Sequence, residues 1–453
     1  MAQGQVPYLP AGRFCGIIPA IRPQGILPQN KKKSMKKDFD VVIIGGGPAG
    51  MMAAIRAGEL GTRVVLLEKN EKLGRKILLT GKGRCNITHA EPNLRKLAEQ
   101  YGKNGNFLFH ALSVFGVKDV VNFFESRGLK TKIERGNRVF PVTDNAQDVL
   151  DVLMRELKKN GVEIMTGAEI KRFEKEGGTI KRVVLDNNEI TARNYILCTG
   201  GKSYPVTGST GDGYRIAEKL GHNIIELKPG LVPLKIKEKW LGKLQGLSLK
   251  NVEISASQNN KKITGRFGEC LFTHFGLSGP IILDISGEIG DLLDKGEVKL
   301  SLDLKPALDF STLDERIQKD FKKYQSRGFK NSLRDLLPQK LIVSIIFLSR
   351  IDPDKKVSSV TKEERQKLVR LLKSVSLTVE GLMGFDQAIV TKGGVDLNEI
   401  DHKTMRSKII DNLFFAGEII DIDGPTGGYN LQACWSTGHL AGQSAGNEAK
   451  NSR

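Results

Sequence analysis

The chain has 453 residues, 39% of them hydrophobic, and a formal net charge of +19. That length accommodates two or three domains of about 100–200 residues each, and apolar runs such as Ile345–Leu348 fall far short of the roughly 20 residues of a spanning helix. Five scattered cysteines (Cys15, Cys85, Cys198, Cys270 and Cys434) show no CxxC or metal spacing, so the expectation is a reduced, cytoplasmic, soluble chain without a metal site, a disulfide framework or a membrane partner.

The charge is unevenly placed. No acid precedes Asp38, where Arg13, Arg22, Lys31, Lys32, Lys33, Lys36 and Lys37 supply +7, leaving +12 for the rest. That remainder is spread without an aromatic-interleaved basic stripe, so a solvated basic surface is expected and no specific nucleic-acid partner. Residues 1–34 are rich in Pro, Gly and Gln and read as a disordered or non-native extension. They resemble a transit peptide only in being basic and acid-free. The better reading is a true start at Met35, directly before the first strand.

Residues 38–44 form an apolar strand that runs into Gly45-x-Gly47-x-x-Gly50, a helix, and a second apolar strand, Val64–Leu67, ending on Glu68. Each part has a physical task. Gly45 permits a tight turn, Gly47 lets backbone approach a pyrophosphate, and Gly50 lets helix and strand pack closely. Free N–H groups at the helix start, around Pro48 and Ala49, favour phosphate charge. Glu68, followed by Lys69, is placed to accept hydrogen bonds from ribose hydroxyls. The order of these parts predicts a dinucleotide.

A Gly- and Lys-rich loop follows, with Arg75, Lys76, Thr80, Gly83, Arg84, Cys85 and Asn86. Helical spacing then marks 93–101, 117–127 and 145–159, the last stopped by Gly161. Residues 162–198 alternate as strands around Gly177-Gly178 and Asn187-Asn188, and end in a buried strand feeding Thr199-Gly200-Gly201. Many short strands over 222–305 predict an inserted antiparallel sheet, and 311–374 reads as helical. The last strand, Leu413–Phe415, leads to Gly417-Glu418, a loop Gly424–Gly428, and a helix over Tyr429–Gly442.

Three glycine-bearing loops thus follow strand ends, where an open α/β sheet collects its ligand. Glu418 suits ribityl or ribose hydroxyls. The helix start after Gly428, aimed at an isoalloxazine N1/C2 edge, would stabilise anionic reduced flavin.

These stretches, with Arg138-Val139-Phe140-Pro141, Phe272–Pro280 and Thr391-x-Gly393-Gly394-Val395, carry a resemblance over about residues 36–446. The chain resembles the bacterial two-dinucleotide-binding-fold flavoproteins that include aminoacetone oxidase and the bile-acid-pathway reductase BaiN. The resemblance implies an α/β fold: a Rossmann-like FAD-binding domain over 36–205 and 375–450, an inserted β-rich substrate domain over 206–310 and a helical domain over 311–374. It implies extended FAD, with the insert roofing the substrate cavity. Gly45, Gly47, Gly50 and Glu68 would hold the ADP half. Arg75, Lys76, Arg84, Cys85 and Asn86 would lie along pyrophosphate and flavin, with Thr199 and Gly200 nearby. Gly417, Glu418, Gly428, Tyr429, Asn430 and Leu431 would meet ribityl and ring, and the Ala168-Glu169 backbone would meet adenine. One departure is Arg406, where the family usually has an acid, which puts the charge of the cavity rim in question.

His274 and Tyr429 are the candidate catalytic residues, the first as a substrate or flavin contact and the second as a proton donor; each also reads as structural. Tyr204 stands as open as Tyr429. Cys85 has no second cysteine nearby, which excludes a dithiol relay and favours a packed thiol over covalent flavin attachment. Gly208–Gly213 opens a helix but follows no apolar strand, so a second Rossmann site there is not expected. NAD(P)H would then dock transiently at the flavin face, or O2 would reoxidise the flavin. The expectation is an FAD-dependent oxidoreductase acting on a small organic substrate. The rivals are a flavin-containing RNA-binding or tRNA-modifying protein, and a chain holding FAD as a structural ligand only. The oligomeric state is not legible.

Overall fold

A computed structural model describes residues 37–259 and 261–451; the Met35 start, Cys15 and the N-terminal extension lie outside these. Strand β1 (Lys37–Ile44), helix α1 (Pro48–Glu59) and strand β2 (Val64–Glu68) form a parallel unit, with Val41 opposite Val64 and Ile44 opposite Leu67. All five residues of β2 are buried, because a parallel strand covered on both faces is apolar throughout. Pro48 starts α1, where its missing N–H is no loss.

The large sheet runs Glu163–Thr166, β2, β1, Glu189–Leu197, Thr179–Val184, Arg172–Glu176. Leu413–Phe415 pairs in parallel with the far end of Glu189–Leu197. Register matters here: Ile44 and Phe415 both lie opposite Leu197. The three glycine loops therefore leave one sheet edge side by side.

The C-terminal helix continues to Asn451, nine residues beyond the expected stop at Gly442. Gly438 and Gly442 are packing residues and not terminators. A Cβ on either would overlap the carbonyl oxygen of Ala49 or Ala53 on α1, and one on Gly446 would lie 2.9 Å from Leu60. A mid-helix Gly costs about 1 kcal/mol against Ala, and the close approach of the two helices offsets it.

Residues 224–230 and 390–395 pair antiparallel as a two-stranded stalk. Beyond it, six strands close a barrel in the order Leu234–Ile236, Gly276–Ser278, Lys261–Phe272, Ser248–Gln258, Lys299–Asp303, Val375–Leu382. Helices Phe310–Lys323, Gln339–Ser349 and Lys362–Lys373 pack on the same hydrophobic cluster, which is separate from that of the large sheet. Thus Val375–Leu382 completes the barrel, while helix Asp212–Leu220 joins the first core through Tyr214, Ala217 and Leu220. Among the described residues no single helix is long and apolar enough to cross a membrane.

Candidate cofactor and active site

The three glycines of the first loop differ in what they accommodate. Gly45 has φ +105°, and a Cβ there would overlap the Cys198 carbonyl; a Cβ on Gly50 would overlap the Gly45 carbonyl. Both are required by the protein itself. Gly47 is extended (φ −83°, ψ −174°) and a Cβ there would meet nothing within 4 Å. Nothing in the chain demands glycine at 47, so the open space beside it at the α1 N-terminus is room for a ligand.

Glu68 turns back to this loop. Its carboxylate accepts from Gly46 N at 2.7 Å and from Asn70 N and Nδ2 at 2.8 and 2.7 Å. Ala168 N donates to Glu68 O at 2.9 Å, which places Ala168 beside it. The Glu169 side chain instead pairs with Lys171 in solvent. Lys69 is drawn away to Thr210 and Asp212, both at 2.8 Å, and braces the Gly208–Gly213 turn. Arg75 donates to Asn70 Oδ1 at 3.0 Å.

The loop Thr80–Asn86 stores strain. Gly81, Lys82, Gly83 and Cys85 all have φ between +57° and +84°, which costs of order 1 kcal/mol or more at each non-glycine position. Cys85 is fully buried, its thiol pushed up to about 12 by desolvation, so it is a neutral packed group. Arg84 does not face the glycine loop. It stacks on Phe140 at 4.1 Å and pairs with Glu134 and Asp144. Asn86 Oδ1 is buried without a partner among the described residues.

Glu418 forms the second node. Its carboxylate accepts from Lys76 Nζ at 2.8 Å, Ser203 Oγ at 3.0 Å and Thr391 N at 2.8 Å. Thr391 Oγ1 in turn accepts from Lys202 N at 2.7 Å, fixing the second glycine loop. Gly200, in that loop, has φ +70° and lies by Ser209. Thr199 Oγ1 is buried against Gly213 and has no hydrogen-bond partner among the described residues. Gly417 reaches α1, where a Cβ would lie 2.7 Å from Ala49 Cβ.

At the start of the last helix, Gly428 packs on the Thr88 backbone. Tyr429 stacks on His89 (centroids 4.3 Å apart, 22°), and its carbonyl accepts from Tyr101 OH at 2.8 Å. Burial pushes the Tyr429 hydroxyl up to about 12, which makes it a poor proton donor near neutrality. Asn430 closes its own loop, accepting from Gly424 N at 2.9 Å and donating to Gly424 O at 2.7 Å. Leu431 packs against the main core.

Two expected positions fall elsewhere. His274 is exposed on a barrel turn, ring-to-ring with Phe275 at 4.9 Å and beside Gly242. Arg406 pairs with Glu448 at 3.4 Å, some 19 residues along the last helix from Tyr429, roughly 28 Å at 1.5 Å per residue. Tyr204 is left-handed at the head of a short 3-10 turn.

Asp423 and Asp284 were missed. Asp284, on insert helix Pro280–Leu293, accepts from Thr426 N at 2.8 Å and so ties the barrel to the Gly424–Gly428 loop. Asp423 has no hydrogen-bond partner among the described residues. Desolvation, with the Asp421, Glu418 and Asp291 carboxylates, raises it to about 6 against the pull of Lys392. Its only sequence signal was an acid next to a glycine loop.

The open Gly47 face, at the sheet edge where the glycine loops leave, and the orphaned Asn86 oxygen fit a dinucleotide. Comparisons agree. Residues 39–444 match the family profile described as HI0933-like protein Rossmann domain. The chain is 34% identical to the 3-dehydro-bile acid delta(4,6)-reductase of Clostridium scindens, over 89% of this chain and 98% of that one. It is 33% identical to the ribosomal RNA dihydrouridine synthase of Escherichia coli, over 89% and 97%. Among solved structures, the 3-ketosteroid-delta4-(5alpha)-dehydrogenase of Rhodococcus jostii superposes with TM-score 0.51 at 15% identity, over 93% of this chain and 98% of that one.

Proposed function

The chain belongs to the HI0933-like Rossmann flavoprotein family of FAD-dependent oxidoreductases, and from that premise we propose that it reduces a carbon–carbon double bond conjugated to a carbonyl group. Two near-full-length relatives support this reading. One name describes reduction of a 3-oxo steroid diene, the other saturation of the uracil 5,6 bond, and both substrates are conjugated enones. When bound and reduced by a nicotinamide, FAD would supply the hydride in such chemistry.

The chain's own residues supply the rest. Gly47 and the α1 N-terminus would take the pyrophosphate, and Glu68 the ribose. Lys76, held by Glu418 and Ser203, presents a fixed positive charge at the second node. The N-terminus of the last helix favours negative charge where Tyr429 begins it. Asp423, raised to about 6, keeps its proton into the weakly acidic range and would deliver it to the carbon next to the carbonyl. NADH or NADPH would be the reductant.

The observation that carries FAD binding is the open space at Gly47. We expect Gly47→Val to fold with unchanged circular dichroism yet lose about 100-fold or more in FAD affinity, seen as loss of the absorbance near about 450 nm. A Gly47→Val protein that stays yellow sinks the assignment. For the reaction, flavin reduced anaerobically with nicotinamide should be reoxidised by a 3-oxo-4-ene steroid or by uridine in RNA. Flavin reduction by an amino ketone with no reoxidation by either alkene would make the protein an oxidase instead. A uracil ring in RNA is the second reading, favoured by the basic surface described next.

A further inference from the structure

The insert helix Gln339–Ser349 and the arginine that follows it present one outward stripe, Lys340, Val343, Phe347 and Arg350, at helical spacing. Val343 and Phe347 are 71% and 72% exposed. Against this helix packs the short helix Lys239–Leu244, and Lys340 Nζ reaches Gln245 O at 3.5 Å. Residues 239–252 and 336–351 contain no acid. Lys239, Lys243, Lys250, Lys340 and Arg350 are all exposed, and none is in an ion pair among the described residues.

Some neighbouring cations on the same insert are paired, as in Lys237–Glu297, Lys262–Glu253 and Lys330–Asp354, while others such as Lys235 and Arg334 are in no ion pair among the described residues. What sets the five apart is that they lie in two acid-free segments, one of which carries the exposed Phe347 ring. Arg135 donates to Asn251 Oδ1 at 3.1 Å, joining the insert to the hairpin Thr131–Pro141. Phe140 of that hairpin lies against Gly81, so the hairpin links the insert to the Thr80–Asn86 loop, although its cation Lys132 and the neighbouring Arg84 are paired with Glu134 and Asp144.

We propose that this face docks RNA, its five cations taking backbone phosphates and the Phe347 ring stacking on an unpaired base. The proposal deepens the reading above and rests on it, with a uracil ring as the enone presented to the site. Charge complementarity favours RNA: the two segments that carry the five cations contain no acid, and one exposed ring amid cations is a stacking platform. A bilayer surface would call for a broader apolar face than Val343 and Phe347 provide.

The test uses flavin-loaded full-length protein and a fluorescein-labelled RNA hairpin with a uridine-rich loop, titrated over a sodium chloride series. The wild type should bind with affinity falling linearly in log–log against salt. The triple variant Lys239→Glu, Lys243→Glu, Lys340→Glu should lose more than about tenfold and flatten the slope by about 2–3. Phe347→Ala should lose about tenfold with the slope unchanged. Flavin absorbance and its reduction by nicotinamide should be untouched in both variants. Unchanged RNA binding by the triple variant overturns the proposal. So does wild-type protein that ignores the hairpin but binds phosphatidylserine vesicles. Binding through this face without reduction of any uridine overturns the substrate reading and leaves the docking face standing.

Discussion

A carboxyl group that is to give up a proton near neutral pH must first be made to keep it. Asp423 is kept by burial and by three surrounding carboxylates, with Lys392 pulling the other way and losing. Because its value is raised to about 6, the acid form dominates below that pH and is lost above it. The rate of alkene reduction by pre-reduced flavin should therefore be level below about pH 6 and fall roughly tenfold per unit above it. Asp423→Asn should lower that rate by about 10²–10⁴ and remove the limb, while reduction of the flavin by nicotinamide is spared. A variant that keeps the limb places the proton elsewhere. Asp423 was not legible in the sequence because nothing in Asp421-Ile422-Asp423 distinguishes a partnerless carboxyl from an anchored one. Asp421 accepts from Asn104 Nδ2, 317 positions away. The same holds for Arg84, whose motif suggested a cofactor contact but whose partners, Glu134 and Asp144, come from a hairpin and turn 50 and 60 residues on.

At the level of elements, what the sequence shows well is local. The helix read over 145–159, its Gly161 stop and the β1–α1–β2 unit each depend on residues within one turn or one strand; they form as read, with Asn145 as the cap of Ala146–Lys159. The last helix shows the limit. Gly442 looks like a stop by the rule that glycine ends helices, yet Gly438, Gly442 and Gly446 recur every four residues, which places them on one face. That period was present in the sequence, but its meaning depends on α1 lying opposite with Ala49, Ala53 and Ala57. This packing also holds the start of α1, and hence Gly47, in place. Gly442→Leu should drive the two backbones apart, where a Cβ alone already overlaps Ala53 O. We expect a loss of about 3 kcal/mol or more in urea unfolding, at the upper end of overpacking costs, together with weakened FAD binding. Asn447→Ser, exposed in the next turn and off the stripe, serves as the control. Because leucine is a better helix former than glycine, an equal or smaller loss for Gly442→Leu would mean that the close contact with α1 does not govern the site.

Across the whole molecule, two hydrophobic clusters are joined by a two-stranded stalk and by polar links that include Asp284 to Thr426 N, Arg135 to Asn251 at 3.1 Å and Lys392 to Asp291 at 3.0 Å. Barrel closure was out of reach of pattern reading. Alternation marks strands but not which ones meet, and Val375–Leu382 finds Lys299–Asp303 across 71 residues of helix and loop. The separation of cores has a thermodynamic consequence. A ligand stabilises the unit that folds around it by RT ln(1 + [L]/Kd), about 2.7 kcal/mol at 100 times Kd. The dinucleotide fits residues of the first core only, so calorimetry should resolve two transitions. Added FAD should raise the one belonging to the large sheet and leave the barrel's in place. A single transition moving as a whole would show that the stalk and these polar links suffice to couple the cores. In that event Asp284→Ala, which removes one link without touching either cluster, should split the peak. If the mutant peak also stays single, the stalk itself transmits cooperativity, and the insert is part of the cofactor-binding body and not a separable roof.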